Sequence, residues 1–293
     1  MKPYLGEALV GYGSLFHFTV PPPANIEHRD NLVSADSDVM IACVLANLQK
    51  GRFDVAEALV PLMKSSDSFW VWSAGSKLLA AAGSEQLLKE FIEWGEARED
   101  EAALYKLCLN ALLAGFPWAV EPTLQVLPRF SDDALPPILE TYLSWLLEEN
   151  RGPIFHGPDE VLPPENERQG WDPSPPLVRD EQGYASMVRL RLEEVRSATG
   201  NVLLAEGETV SVTRIAERLL ARTKTLEVPP ARPDQAWHVF SAMTGLDCRG
   251  FFDANGNFQR LTAAATVEDF LDSGLGRSMT PGKRYFFGRE VPT

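Results

Sequence analysis

The chain has 293 residues, of which 45% are hydrophobic and 23% charged, and a formal net charge of −14. Length and apolar content allow one large core or two ordinary ones. The acidity excludes a surface built for nucleic acid or anionic lipid and favours cationic partners. Residues 1–150 hold 10 Lys and Arg against 21 Asp and Glu, so −11 of the charge falls in the first half. Cys43, Cys108 and Cys248 lie far apart with no Cys-x-x-Cys spacing. That fits a reducing compartment and gives neither a disulfide framework nor a zinc site. No run approaches the roughly 18 apolar residues of a membrane span. The first apolar stretch is broken by Glu7, Gly11 and Gly13, which does not make a signal peptide. The expected location is cytoplasmic.

Along the chain, residues 1–35 read as irregular, with Pro21, Pro22 and Pro23 forcing an extended segment. Asp36, Ser37 or Asp38 can cap a first helix in which Val39, Met40, Cys43, Val44, Ala46 and Leu48 fall at helical spacing, closed by Gly51. Further helices are predicted over about 52–65, 67–82, 84–97, 99–114, 117–129 and 132–149, because Gly, Pro and Ser/Asp clusters punctuate the apolar periodicity there. The breaks are short, so neighbouring helices should form antiparallel hairpins. Paired Leu/Ala-rich helices of this length resemble a HEAT-like or armadillo-like α-solenoid, with a plain helical bundle as the alternative. Residues 151–183 are proline-rich without helical period and read as a linker or long surface loop.

The remainder, 184–293, reads as a smaller mixed α/β part. Helices are expected over Tyr184–Thr199, Val212–Arg222 and Gln235–Met243, and a strand–turn–strand is weighed around Glu206-Gly207. Asn255-Gly256 predicts a hairpin turn. Thr266 is expected to cap a helix through Val267–Leu271, and Arg284–Phe287 to form a strand. The domain reading is therefore 1–150, 151–183 and 184–293.

Most constellations that could carry chemistry are incomplete. Asp253, Asn255 and Asn257 match the start of a calcium loop, but Phe258 and Ala264 stand where Gly and a bidentate Glu are required. His17, His28, His156 and His238 are dispersed without metal-ligand spacing. Catalysis on the C-terminal part would need Asp247, Asp253, His238 and Arg249 to converge. No metal, cofactor or catalytic residue is therefore expected, and the chain is not expected to be an enzyme.

The strongest local feature is a run of six carboxylates in twelve residues, Glu90, Glu93, Glu96, Glu99, Asp100 and Glu101, with Trp94 among them. Carboxylates at a helix C-terminus oppose the helix dipole, whereas those opening the next helix favour it. With Trp118, these residues are the candidate partner-binding surface, Trp94 supplying an aromatic anchor. A solvated helix face is the plain alternative.

The ending, Phe270-Leu271, then Pro281-Gly282-Lys283-Arg284-Tyr285-Phe286-Phe287-Gly288-Arg289 and Pro292, resembles that of bacterial polymorphic-toxin immunity proteins with a HEAT-like helical body. The resemblance implies an antitoxin that binds one cognate protein toxin and blocks it. An acidic surface suits a basic nuclease-type domain. A non-catalytic scaffold that binds a peptide or helix is the second expectation.

Overall fold

Asp36 opens the helical region, its carboxylate accepting from the N–H groups of Asp38 (2.9 Å) and Val39 (3.4 Å) at the start of α1 (Ser37–Gln49). The computed structural model describes residues 23–131, 135–148, 181–224, 235–251 and 258–292. It is mainly helical, continuing with α2 (Leu59–Ser65), α3 (Phe69–Ala82), α4 (Glu85–Arg98), α5 (Glu101–Leu113), α6 (Val120–Val126) and α7 (Leu135–Leu147). Two of the helices expected from sequence are divided. The 52–65 span is a 3-10 turn over 53–58 followed by α2, and the 117–129 span is α6 between 3-10 turns at 117–119 and 127–129. Pro61, Pro122 and Pro128 lack an N–H, so each sits in the first turn of its segment, where none is needed.

The first-half helices pack in a regular order, α1 on α3, α3 on α5 and α5 on α7, with α2 and α4 against their sequence neighbours. Ile41, Leu45, Leu48, Leu78, Leu79, Leu107, Leu143 and Leu146 are fully buried between them. Each such leucine or isoleucine contributes about 1.5–3 kcal/mol of transfer free energy, before conformational entropy is set against it.

The chain then forms α8 (Glu181–Thr199), strands β1 (Leu204–Ala205) and β2 (Glu208–Thr209), α9 (Val212–Lys224), α10 (Gln235–Thr244), α11 (Arg260–Ser273), and strands β3 (Tyr285–Phe286) and β4 (Arg289–Glu290). Helix α8 begins three residues before Tyr184, so Glu181–Gly183, the end of the proline-rich stretch, is helical. The rest of that stretch, residues 1–22 and the Asn255-Gly256 turn lie outside the described residues. Thr266 is not a cap. It lies inside α11, its hydroxyl donating to the Thr262 carbonyl at 2.9 Å, because Ala263, Val267 and Phe270 extend one buried stripe back towards Arg260. The expected strand at 284–287 is the first arm of a hairpin rather than a single strand.

The two hairpins are built alike. Leu204 pairs with Thr209 and Ala205 with Glu208; Tyr285 pairs with Glu290 and Phe286 with Arg289. Each turn places two residues at positive φ, Glu206 (54°) and Gly207 (75°) in one, Phe287 (49°) and Gly288 (74°) in the other, as a two-residue type I′ connection requires. Each is extended by one further bond, Val210 N to Leu203 O and Val291 N to Arg284 O, both 2.9 Å. Each turn also caps a helix. Glu206 and Gly207 donate to the carbonyls of Trp145 (2.6 Å) and Leu146 (3.1 Å) near the end of α7, and Phe287 and Gly288 to those of Ala242 (2.9 Å) and Met243 (2.7 Å) near the end of α10. Helix ends leave such carbonyls without intrahelical donors, so the turns act as caps supplied from elsewhere in the chain.

Because strand side chains alternate between faces, each hairpin feeds two cores. Leu204 and Phe286 join the cluster formed by α1–α8, whereas Ala205 and Tyr285 join a second cluster with Ile215, Leu219, Trp237, Phe240, Phe251, Val267 and Phe270. Among the described residues, no helix is long and apolar enough to cross a membrane.

Candidate functional site

The acidic run straddles the junction of α4 and α5, and the structure sorts its members by partner. Asp100 is the N-cap of α5, accepting from the Ala103 N–H at 3.0 Å. Glu101 accepts from the Ser131 N–H (3.1 Å) and hydroxyl (2.9 Å). Glu90 accepts from Gln86 one turn earlier at 3.0 Å. These three carboxylates have local work in the fold.

Glu93, Glu96 and Glu99 do not. Among the described residues none of them has an ion-pair or side-chain hydrogen-bond partner; Glu93 and Glu99 are exposed and Glu96 is half-buried. Glu93 and Glu96, at i,i+3 spacing on the last turns of α4, are neighbours, and Glu99 follows as the C-cap; like charges there repel and the helix dipole is unfavourable. Glu99 is further strained, since it closes α4 in the left-handed region (φ 53°, ψ 35°), the conformation in which helices usually place glycine. Local stability therefore argues against all three residues.

Trp94 is less available than its surroundings suggest. Its ring stacks on Trp72 (centroids 5.4 Å, 20° between planes), meets Phe91 edge-on at 6.0 Å and carries the Arg98 guanidinium at 4.9 Å. It is half-buried against the first core. Trp118 has other neighbours, Phe116 at 5.4 Å and the Lys89 ammonium at 5.1 Å, and its indole N–H is buried without an acceptor among the described residues. Trp94 and Trp118 are thus set against different side chains, while Glu93, Glu96 and Glu99 stand at the C-terminal end of α4 without a side-chain partner among the described residues.

A second chemically distinct place lies where both hairpins meet α3, α5 and α10. A cavity of about 50 Å³ there is walled by Ala80, Leu113, Val210, Val239 and Met243, and the polar side chains of Lys77, Asn110, His238, Lys283 and Arg284 line it with no carboxylate among the lining residues; the Asn110 Oδ1 is buried without a hydrogen-bond partner among the described residues. Burial pushes the Lys77 ammonium down to about 8, helped by the nearby Lys106 charge, and the Arg284 guanidinium down to about 10, partly countered by Glu85. Neither residue stands out in the sequence as a candidate for chemistry, Arg284 being expected only in the final strand. The available signals were a lysine inside the apolar run Ala-Gly-Ser-Lys-Leu-Leu-Ala-Ala-Ala of α3, and an arginine opening the final hairpin.

The depressed Lys77 value carries a prediction. The unfolded chain holds this proton up to about 10.5 while the folded chain releases it near 8, so the penalty is full below pH 8 and fades as pH rises towards 10.5. Replacing Lys77 with Met should raise unfolding free energy by roughly 2 kcal/mol at neutral pH, and the gain should shrink across pH 8–10.5 in parallel denaturant melts. A pH-independent difference would show that the ammonium's charge is not responsible.

The remaining chemistry is muted. Burial raises the thiols of Cys43 to about 11 and of Cys108 and Cys248 to about 12, far from the thiolate range of reactive cysteines. Among the described residues no group of three or more His, Cys, Asp or Glu is placed to hold a metal ion. Asp253, the start of the calcium-loop pattern, and the Arg249 side chain are outside the described set, while Asp247 is exposed and His238 half-buried. Comparison with family models, characterised proteins and solved structures finds no match to the chain.

Proposed function

We propose that this protein is a cytoplasmic immunity protein: a non-catalytic inhibitor whose acidic α4–α5 edge binds the cationic face of a cognate protein toxin. The observation that carries the reading is the set of unpaired carboxylates Glu93, Glu96 and Glu99 at the C-terminal end of α4. Their placement costs stability, and a surface that keeps locally unfavourable charge is a candidate for association. The first-half helices suit such a role if they form a solenoid. The succession α1–α3–α5–α7, with α2 and α4 alongside their neighbours, supports that arrangement, which would present the intervening turns as one continuous edge. A basic nuclease-type domain fits the charge; a scaffold that binds a basic peptide would use the same edge.

Charge reversal should avoid Asp100 and Glu101, whose loss would remove a helix cap and the Ser131 contact. The informative variant is Glu93→Lys with Glu96→Lys and Glu99→Lys. Co-expressed with a toxin from its own genomic neighbourhood, should one be encoded there, the native chain should rescue growth and co-purify with that toxin, and the triple variant should associate at least tenfold more slowly at low salt. Failure of the native chain to rescue or co-purify would end the immunity reading, and unchanged association by the variant would place the contact elsewhere. Glu99→Gly gives an independent check: relief of the left-handed strain and of one like charge should stabilise the fold by about 1 kcal/mol while slowing association. Stabilisation without any effect on association would remove Glu99 from the interface.

A further inference from the structure

We draw no further inference here: the strongest candidate, the cavity of about 50 Å³ where both hairpins meet α3, α5 and α10, is too small for an organic ligand, and its cations Lys283 and Arg284 already have Glu290 and Glu85 as counter-charges, so nothing on its walls shows what would occupy it.

Discussion

Glu206→Ala should lower the unfolding free energy by about 3–5 kcal/mol, the range for removing one member of a buried ion pair. The Glu206 side chain is only 4% exposed, and both its oxygens are engaged, one by Arg218 at 2.6 Å and the other by Arg222. Arg218 reaches on to Glu208 at 3.2 Å, and Arg214 joins Glu208 at 2.9 Å, so a network fastens α9 to the first hairpin. Alanine at this position keeps the backbone class but removes the buried carboxylate that both guanidinium groups share. Arg222→Ala should be much milder, about 1 kcal/mol, because Arg222 is 35% exposed and Glu206 would keep Arg218. Denaturant melts of the two single variants and the double variant give the coupling directly. A cost below about 1 kcal/mol for Glu206→Ala would mean that the hairpin is not held to α9 through this carboxylate.

How much of this was legible follows from where each signal is local. The helices between Ser37 and Leu147 were readable because their breaks carry their own chemistry: Asp36 and Ser84 cap the following helices, and Gly51 and Gly115 take positive φ. The strand–turn–strand at Glu206-Gly207 was readable for the same reason. Its kinship with the last hairpin was not, since across 203–210 and 284–291 the two share only Gly207/Gly288 and Val210/Val291. What they have in common is backbone geometry and the helix end that each caps. Thr266 misled because threonine favours caps, and only tertiary packing of Ala263 shows that α11 has already begun.

The acidic run was visible as composition, but composition cannot separate a carboxylate that caps a helix from one that answers to nothing. Asp100 and Glu99 are adjacent in the sequence and opposite in physical standing. The cationic cavity was invisible for a different reason: Lys77, His238 and Arg284 lie far apart along the chain, and each alone reads as a polar residue at the margin of an apolar element.

Matched glycine substitutions in the two turns should separate intrinsic strain from packing. Gly207→Ala and Gly288→Ala put the same side chain at nearly the same φ, 75° and 74°, so the left-handed penalty of about 1 kcal/mol is common to both. Their surroundings differ. A Cβ at 207 would lie 2.8 Å from the Leu147 carbonyl oxygen, a backbone atom that cannot yield by rotating a side chain, whereas at 288 the nearest atom is the end of Met279 at 4.0 Å. Relieving the clash at 207 pulls the turn from α7 and breaks the bonds from Glu206 and Gly207 to Trp145 and Leu146. That leaves buried carbonyls unpaired at roughly 1–3 kcal/mol each. Gly207→Ala should therefore cost about 3–5 kcal/mol against about 1 kcal/mol for Gly288→Ala, and hydrogen exchange at residues 206 and 207 should accelerate only in the former. Equal costs would show that the first turn caps α7 no more tightly than the second turn tolerates change, and that the likeness of the hairpins reflects turn geometry alone.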